Sequence, residues 1–290
     1  MKTGVVDVGG GLRGIYGAGV FDYCLLKGIK FDECIGVSAG SANIVAYLAG
    51  QRGRNLRYYR DYAFRPNYMS LHNLVHEGSY LDLNYVYGVL SNSDGEYPLD
   101  YPKIAENPAE MKVVASEAVS GKVKYFDKSD FLKDDYGILG ASSAIPVVCR
   151  PYPFHGTLYF DGALSDPVPV QKALQDGCER VVVILTKPRD LIRTSGGDDH
   201  FVRILRRRYP KAARNLHLRA KRYNEGVAFA KELEEKGKAV IIAPDQIAGI
   251  NTLTKNKNML EHLYQKGFKD AEAIEAFLGR QDSQQPKNSA

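Results

Sequence analysis

Two junctions of the form strand, glycine turn, helix fall within the first fifty residues, and they constrain the fold of this chain more than any other feature. Residues 3–8 are a short β-branched run ending in Gly9-Gly10-Gly11, and residues 15–27 then carry helical patterning closed by Gly28. Residues 33–37 repeat the arrangement with a short strand, then Ser38-Ala39-Gly40-Ser41, then a helical stretch over 42–48. Helices alternating with short buried strands predict an α/β fold with a central, largely parallel sheet flanked by helices. In such folds ligands meet the C-terminal ends of the strands. Glycine supplies 28 of the 290 residues, about 10% against a usual 7%, and its concentration here marks backbone that must approach something closely.

The later elements fit the same scheme. Residues 111–119 and 122–126 alternate as a strand pair, 136–144 read as a helix stopped by Pro146, and 157–160 form a strand that delivers Asp161-Gly162-Ala163. A helix over 170–175 and buried strands over 180–185 and 239–243 follow. Residues 199–238 are mostly helical, with Val202, Leu205, Tyr209, Ala212, Leu216, Ala220, Tyr223 and Val227 spaced by three or four and Pro210 opening the second half. Residues 259–278 form a last amphipathic region, expected to break at Gly267. The Tyr-, Asn- and Asp-rich stretch 58–101 reads as short helices and loops forming part of a lid or cap.

With 44% hydrophobic and 25% charged residues, the chain is neither disordered nor fibrous, and one core can serve this length. We expect a single domain over 1–280 and a polar, disordered tail over 281–290. Cys24, Cys34, Cys149 and Cys178 show no CxxC pair and no zinc-finger spacing, so they read as reduced thiols. The opening MKTGVVDVGGGLRG lacks the apolar core of a signal peptide, and no apolar run approaches a membrane span. These features lead us to expect a cytoplasmic protein whose membrane contact, if any, is peripheral.

Three short motifs carry chemistry. Gly9-Gly10-Gly11-Leu12-Arg13-Gly14 satisfies GxGxxG after a strand and before a helix, the context of a dinucleotide fingerprint. The same geometry lets backbone N–H groups converge on any negative charge, a pyrophosphate or a developing oxyanion, and a tight packing turn is the bland alternative. Gly36-Val37-Ser38-Ala39-Gly40 is GxSxG at a strand-to-helix turn, where small neighbours permit a strained elbow that presents Ser38 as a nucleophile. A Rossmann chain would at this point offer an acid to a ribose, but Asp32 and Glu33 precede the strand instead of ending it. Asp161-Gly162-Ala163 is either a simple turn or an acid left unshielded to accept a serine proton in a partly desolvated site.

In the order GGGLRG, GVSAG, DGA the chain resembles the patatin-like phospholipase family, whose members use a Ser-Asp dyad. Ala141 to Pro146 (ASSAIP), residues 161–183 (DGALSDPVPVQKALQDGCERVVV), Ile241-Ile242-Ala243-Pro244 and residues 263–268 (LYQKGF) extend the likeness to its bacterial single-domain branch. The resemblance implies Ser38 as nucleophile, Asp161 as proton acceptor, the backbone of Gly9, Gly10 and Gly11 as oxyanion hole with Arg13 at its rim, and Gly36 and Gly40 flanking the elbow. It implies hydrolysis of carboxylic esters in phospholipids or acylglycerols through an acyl-enzyme, with no organic cofactor and no catalytic metal. Ala163 departs from a strict DGG in a way the family's DG(A/G) form allows. His155 lies six residues before Asp161, whereas a GxSxG triad places its His after the acid. His72 and His76 are spaced i, i+4 but lack the HExxH glutamate, so they read as structural or surface residues.

A catalytically silent lipid- or membrane-binding protein and a dinucleotide-binding oxidoreductase remain as alternatives. The second leaves GVSAG and DGA unexplained. The net charge is +5, yet residues 203–222 hold nine Lys or Arg and no acid, so the remainder is net negative. Such a segment fits either a solvated helix face or contact with an anionic membrane through Arg203, Arg206, Arg207 and Arg214. Nucleic acid as a partner would require a broader basic surface.

Overall fold

The computed structural model describes residues 1–247 and 249–279. Among these, eight strands form one sheet: β1 (Thr3–Asp7), β2 (Glu33–Val37), β3 (Glu110–Glu117), β4 (Val123–Asp127), β5 (Tyr152–Phe154), β6 (Thr157–Asp161), β7 (Arg180–Ile184) and β8 (Ala239–Ile242). Their order is β5-β6-β3-β2-β1-β7-β8, with β4 paired to β3 off this path. The run from β3 to β8 is parallel, and β4, β5 and β6 add antiparallel pairings. The central strands β2 and β7 are buried at every residue, as expected where helices cover both faces of a parallel sheet. The chain is thus mixed α/β with a central, mostly parallel sheet flanked by helices.

The helices are α1 (Ile15–Lys27), α2 (Ala39–Leu48), α3 (Arg54–Arg60), α4 (Leu71–Glu77), α5 (Tyr101–Glu106), α6 (Gly137–Ser143), α7 (Val170–Gln175), α8 (Asp199–Arg206), α9 (Pro210–Glu235), α10 (Lys257–Asp270) and α11 (Glu272–Gly279). One face of the sheet packs on Ile15, Phe21, Ile44, Leu260 and Leu263 of α1, α2 and α10, and the other on Val170, Tyr223, Val227 and Ala230 of α7 and α9. The expected break at Gly267 is corrected: this residue lies inside α10, and the helix ends at Asp270. A side chain at Gly267 would clash with the Tyr16 backbone of α1, and one at Gly19 with the Tyr264 carbonyl of α10. Both glycines therefore serve a close helix crossing, which outweighs their weak helix propensity.

Other differences are local. The second helix begins at Ala39, three residues earlier than its apolar pattern, because the Ser38 carbonyl already accepts the Ser41 N–H (2.9 Å) and hydroxyl (2.6 Å). The three-residue strand β5 contains Pro153 and has no readable alternation. Residues 54–106 hold α3 to α5, a π-helical turn over Tyr85–Leu90, and connecting loops. The stripe on α8 and α9 packs inward as its spacing predicts, Val202 only in part, and Pro210 is the first residue of α9. Arg203, Arg206, Arg207 and Arg214 are exposed, whereas Arg219 and Arg222 turn inward, to Asp198 (2.7 Å) and the Leu164 carbonyl (2.7 Å). All four cysteines are buried free thiols. Among the described residues no helix is long and apolar enough to cross a membrane. The tail at 281–290 lies outside the described residues.

The pairing around β3 positions the site. β2 pairs with β3 as far as Val37 opposite Val114, while β6 runs the other way and pairs from Asp161 opposite Ala115. β4 occupies the far edge of β3 from Lys112 to Ser116. β2 and β6 therefore share one edge of β3, and their C-terminal ends meet there across a single peptide unit.

Candidate active site

Ser38 follows the last residue of β2 and precedes the first of α2. Its backbone has φ 56° and ψ −127°, a conformation that a non-glycine residue holds only when its surroundings enforce it. The flanking glycines show what enforces it. A Cβ on Gly36 would stand 2.5 Å from the Ser41 Cα, and one on Gly40 would clash with the Asp7 carbonyl of β1. The helix can thus fold back tightly on two strands, which leaves the buried Ser38 hydroxyl at the sheet's C-terminal end. The Ser38 N–H donates to Ser142 Oγ (2.8 Å), whose hydroxyl donates to the Val114 carbonyl (2.6 Å). Ser142 thereby ties the elbow to β3. Its ASSAIP stretch is legible in the sequence, but this task is not.

Asp161 ends β6 and is buried. Its N–H donates to the Ala144 carbonyl (2.9 Å), its own carbonyl accepts from Ser116 Oγ (3.0 Å), and its carboxylate accepts the Ala163 N–H (2.8 Å). Burial pushes the carboxyl above the usual carboxylate range, against the opposing pull of the Ser38 hydroxyl, the Ala163 amide and the charges of Arg219 and Arg193. Ser38 is close enough to exert that pull, yet no hydrogen bond of ordinary geometry closes between the two side chains in this structure. In ligand-free sites such bonds are often long.

Gly9, Gly10 and Gly11 all have positive φ, 63°, 133° and 61°, so the loop they form is open to glycine alone. The Gly9 amide donates to Asp7 Oδ1 (2.9 Å), and the Gly9 carbonyl accepts from Thr186 Oγ1. In this structure the amide of Gly9 is therefore engaged within the loop, whereas the expectation has all three glycines offer theirs to an oxyanion. Those of Gly10 and Gly11 have no acceptor among the described residues. Arg13 is buried against the loop, with Nη1 3.3 Å from Thr252 Oγ1. Asp7, which the motif reading passed over, is the anchor: its carboxylate accepts from Gly9 and from Asn43 Nδ2 (2.8 Å), and Asn43 also holds the Gly14 carbonyl (2.8 Å). Burial pushes the Asp7 carboxyl up to about 6. An acid at a strand end just before a glycine loop is the signal that could have found it.

Ser38, Asp161, the three glycines and Arg13 line one cavity of about 430 Å³, together with Thr186, Lys187, Arg193, Asp198, Arg219 and Tyr223. A second, apolar recess of about 30 Å³ also touches Ser38, with Tyr58, Tyr68, Met69, Leu81, Tyr87 and Leu253 in its lining. Its tyrosines, Tyr58, Tyr59, Tyr68 and Tyr87, all come from the stretch expected to form part of a lid or cap. No histidine lines either space. His155 is exposed and faces Asp135 at 3.3 Å. The rings of His72 and His76 lie 4.2 Å apart and tilted on α4, outside the cavity lining, and no cluster of three metal-ligating side chains exists among the described residues.

A serine on a strand-to-helix elbow, faced by a buried acid and a glycine loop at the C-terminal edge of a mostly parallel sheet, places this chain among α/β proteins with a nucleophile-elbow architecture. Residues 8–174 match the patatin-like phospholipase family, a family of lipid acyl hydrolases, and the chain belongs to it. Residues 209–280 match a family described as a domain of unknown function, DUF6363. That region supplies β8 to the same sheet and α10 to the crossing with α1. Uncharacterized protein YjjU of Escherichia coli (strain K12) is 28% identical over 208 residues, covering 67% of this chain and 54% of YjjU. The chain therefore spans about half the length of that relative. The crystal structure of VipD from Legionella pneumophila aligns with 94% of this chain and 66% of its own, at 12% identity and a TM-score of 0.47.

Proposed function

We propose that this protein is a serine acyl hydrolase that cleaves carboxylic esters of lipids through Ser38 and Asp161. The observation that carries the reading is the convergence of a serine in a strained elbow, a buried carboxylate and two unengaged loop amides on one cavity. Ser38 Oγ attacks the acyl carbonyl as its proton passes to Asp161, and the Gly10 and Gly11 amides stabilise the oxyanion. Collapse of the tetrahedral intermediate expels the alcohol, which takes the proton from Asp161. Water, deprotonated by the same carboxylate, then attacks the acyl-enzyme and releases the fatty acid with Ser38 restored. Family membership supports this chemistry, and the cavity of about 430 Å³ that holds Ser38 has the volume for an ester substrate. No organic cofactor or metal takes part in it.

The surface that meets lipid is, in this reading, the exposed face of α8 and early α9. Phe201 lines the cavity mouth and Ile204 is also exposed, beside Arg203, Arg206, Arg207 and Arg214. The decisive test is labelling with a fluorophosphonate, alongside fatty-acid release from phospholipids, acylglycerols and p-nitrophenyl esters. Wild type should label and hydrolyse, and Ser38→Ala should lose both, the turnover by roughly 10³-fold or more. Turnover within tenfold of wild type in Ser38→Ala would refute the assignment and favour a protein that only binds lipid.

A further inference from the structure

The cavity that holds Ser38 carries more positive charge than ester hydrolysis requires. Arg13 from the loop after β1, Lys187 and Arg193 from the segment after β7, and Arg219 from α9 all line it, against two acids, Asp161 and Asp198. Arg219 pairs with Asp198 at 2.7 Å. Among the described residues no carboxylate lies within 4.0 Å of the side-chain nitrogens of Arg13, Lys187 or Arg193. The Nε atoms of Arg13 and Arg219 and the hydroxyl of Tyr223 are buried without a hydrogen-bond partner. Arg13 itself is 7% exposed. These cations reach one space from separate segments, and gathering them there with too few acids is costly unless an anionic ligand answers them.

The wall is also built to hold its shape. Arg193 is pinned to α9 by Asn224, which accepts the Arg193 N–H (2.9 Å) and donates to its carbonyl (2.9 Å), and its guanidinium lies over the Tyr223 ring at 5.1 Å. The like charges feel one another. Burial, together with Arg193, Arg13 and Arg219, pushes the Lys187 ammonium down to about 8. Burial and the same two neighbouring arginines lower the Arg13 guanidinium to about 10. An anion in the middle of this group would relieve the repulsion and fill the open donors.

We propose that Lys187, Arg193 and Arg219, with Arg13, form a subsite for the phosphate of a phospholipid, so that the preferred substrate is a phosphate-bearing ester and not a neutral acylglycerol. This rests on the acyl-hydrolase reading above and places the phosphate at the cations, in the same cavity as Ser38.

The test compares two soluble diesters of equal chain length, dihexanoylphosphatidylglycerol and dihexanoylglycerol, both below the concentration at which they aggregate. Wild type should favour the phosphate-bearing ester in kcat/KM. Arg193→Gln and Lys187→Gln, which leave no ion partner stranded, should each lose about tenfold or more on that ester beyond any loss on the neutral one, the equivalent of a charge-assisted hydrogen bond. Arg193→Lys, which keeps the charge, should recover part of the difference. Equal losses on the two esters would overturn the subsite and leave the hydrolase reading standing. Titration calorimetry of Ser38→Ala with dihexanoylphosphatidylglycerol gives a readout free of turnover. Binding that weakens when Arg193→Gln is added supports the subsite even if ester hydrolysis fails, and unchanged binding overturns it. Inorganic phosphate separates the sources: if it protects Ser38 from fluorophosphonate while wild type shows no preference between the esters, the site takes free phosphate and the headgroup assignment is wrong.

Discussion

Ser142→Ala probes how the elbow is held. The substitution removes one oxygen that accepts the Ser38 N–H at 2.8 Å and donates to the Val114 carbonyl at 2.6 Å, in a spot with no exposure at residue 142 and 5% at Ser38. Stranding a buried amide costs about 1–3 kcal/mol, and losing the second bond adds about 1 kcal/mol. Unfolding in urea should therefore show a loss of roughly 2–4 kcal/mol. The catalytic cost should be separable from this. Once its N–H is untethered, Ser38 has less to hold its φ of 56°, and a displacement near 1 Å at a nucleophile can cost about 10²-fold. Fluorophosphonate labelling, measured well below the unfolding transition, should slow by at least roughly tenfold. Ser143→Ala, next in sequence and joined only to the Tyr87 hydroxyl at 3.3 Å, is the control and should change both quantities much less. A Ser142→Ala protein with wild-type labelling and a loss under about 0.5 kcal/mol would refute the tether.

Asp161→Asn should be nearly as damaging to ester hydrolysis as loss of the serine, because Asn cannot take a proton, while His155→Ala should be mild given its exposed position beside Asp135; the reverse order of damage in purified variants would replace the dyad with a triad. In the proposed mechanism Asp161 acts as a base and must be ionised, and burial raises its pKa, so kcat/KM for a p-nitrophenyl ester should fall, as pH is lowered, on a limb above the ordinary carboxylate value of about 3.9. Arg193→Gln removes a charge that lowers this pKa, so the limb should move to higher pH; a limb that stays put would mean another group titrates. Charge reversal at Arg206, Arg207 and Arg214 should reduce binding to anionic vesicles in a salt-sensitive manner and lower the ratio of vesicle-lipid to soluble-ester hydrolysis. An unchanged ratio would return that face to the role of a solvated helix surface.

Where function and local backbone geometry coincide, the sequence was readable. Gly28 closes α1 with φ 66°, Pro210 starts α9, and Gly36 and Gly40 flank a serine that does sit on an elbow. Gly267 misled because a glycine inside a helical pattern signals either a break or a close crossing, and only the position of α1 decides between them. Asp7 and Ser142 were visible as residue types but silent as roles, since each acts on backbone brought to it by another element. Of the cationic wall, only Arg13 in the glycine motif and Arg219 in the basic run carry a local signature. Lys187, Arg193 and Arg219 come together because the segment after β7 is held on α9 by Asn224, and no spacing along the chain expresses that.

The meeting of β2 and β6 on one edge of β3 has a kinetic consequence. Ser38 and Asp161 are far apart in the chain, and their closeness depends on two strand pairings in the right register. A slip of one residue in β6 would turn Asp161 to the opposite face of the sheet, so partial assembly yields no partial site. Pairings of such long sequence separation form late and slowly. The rate at which a refolding chain acquires reactivity towards an active-site label would then time the closing of the sheet around β3, giving this protein an internal clock for that event.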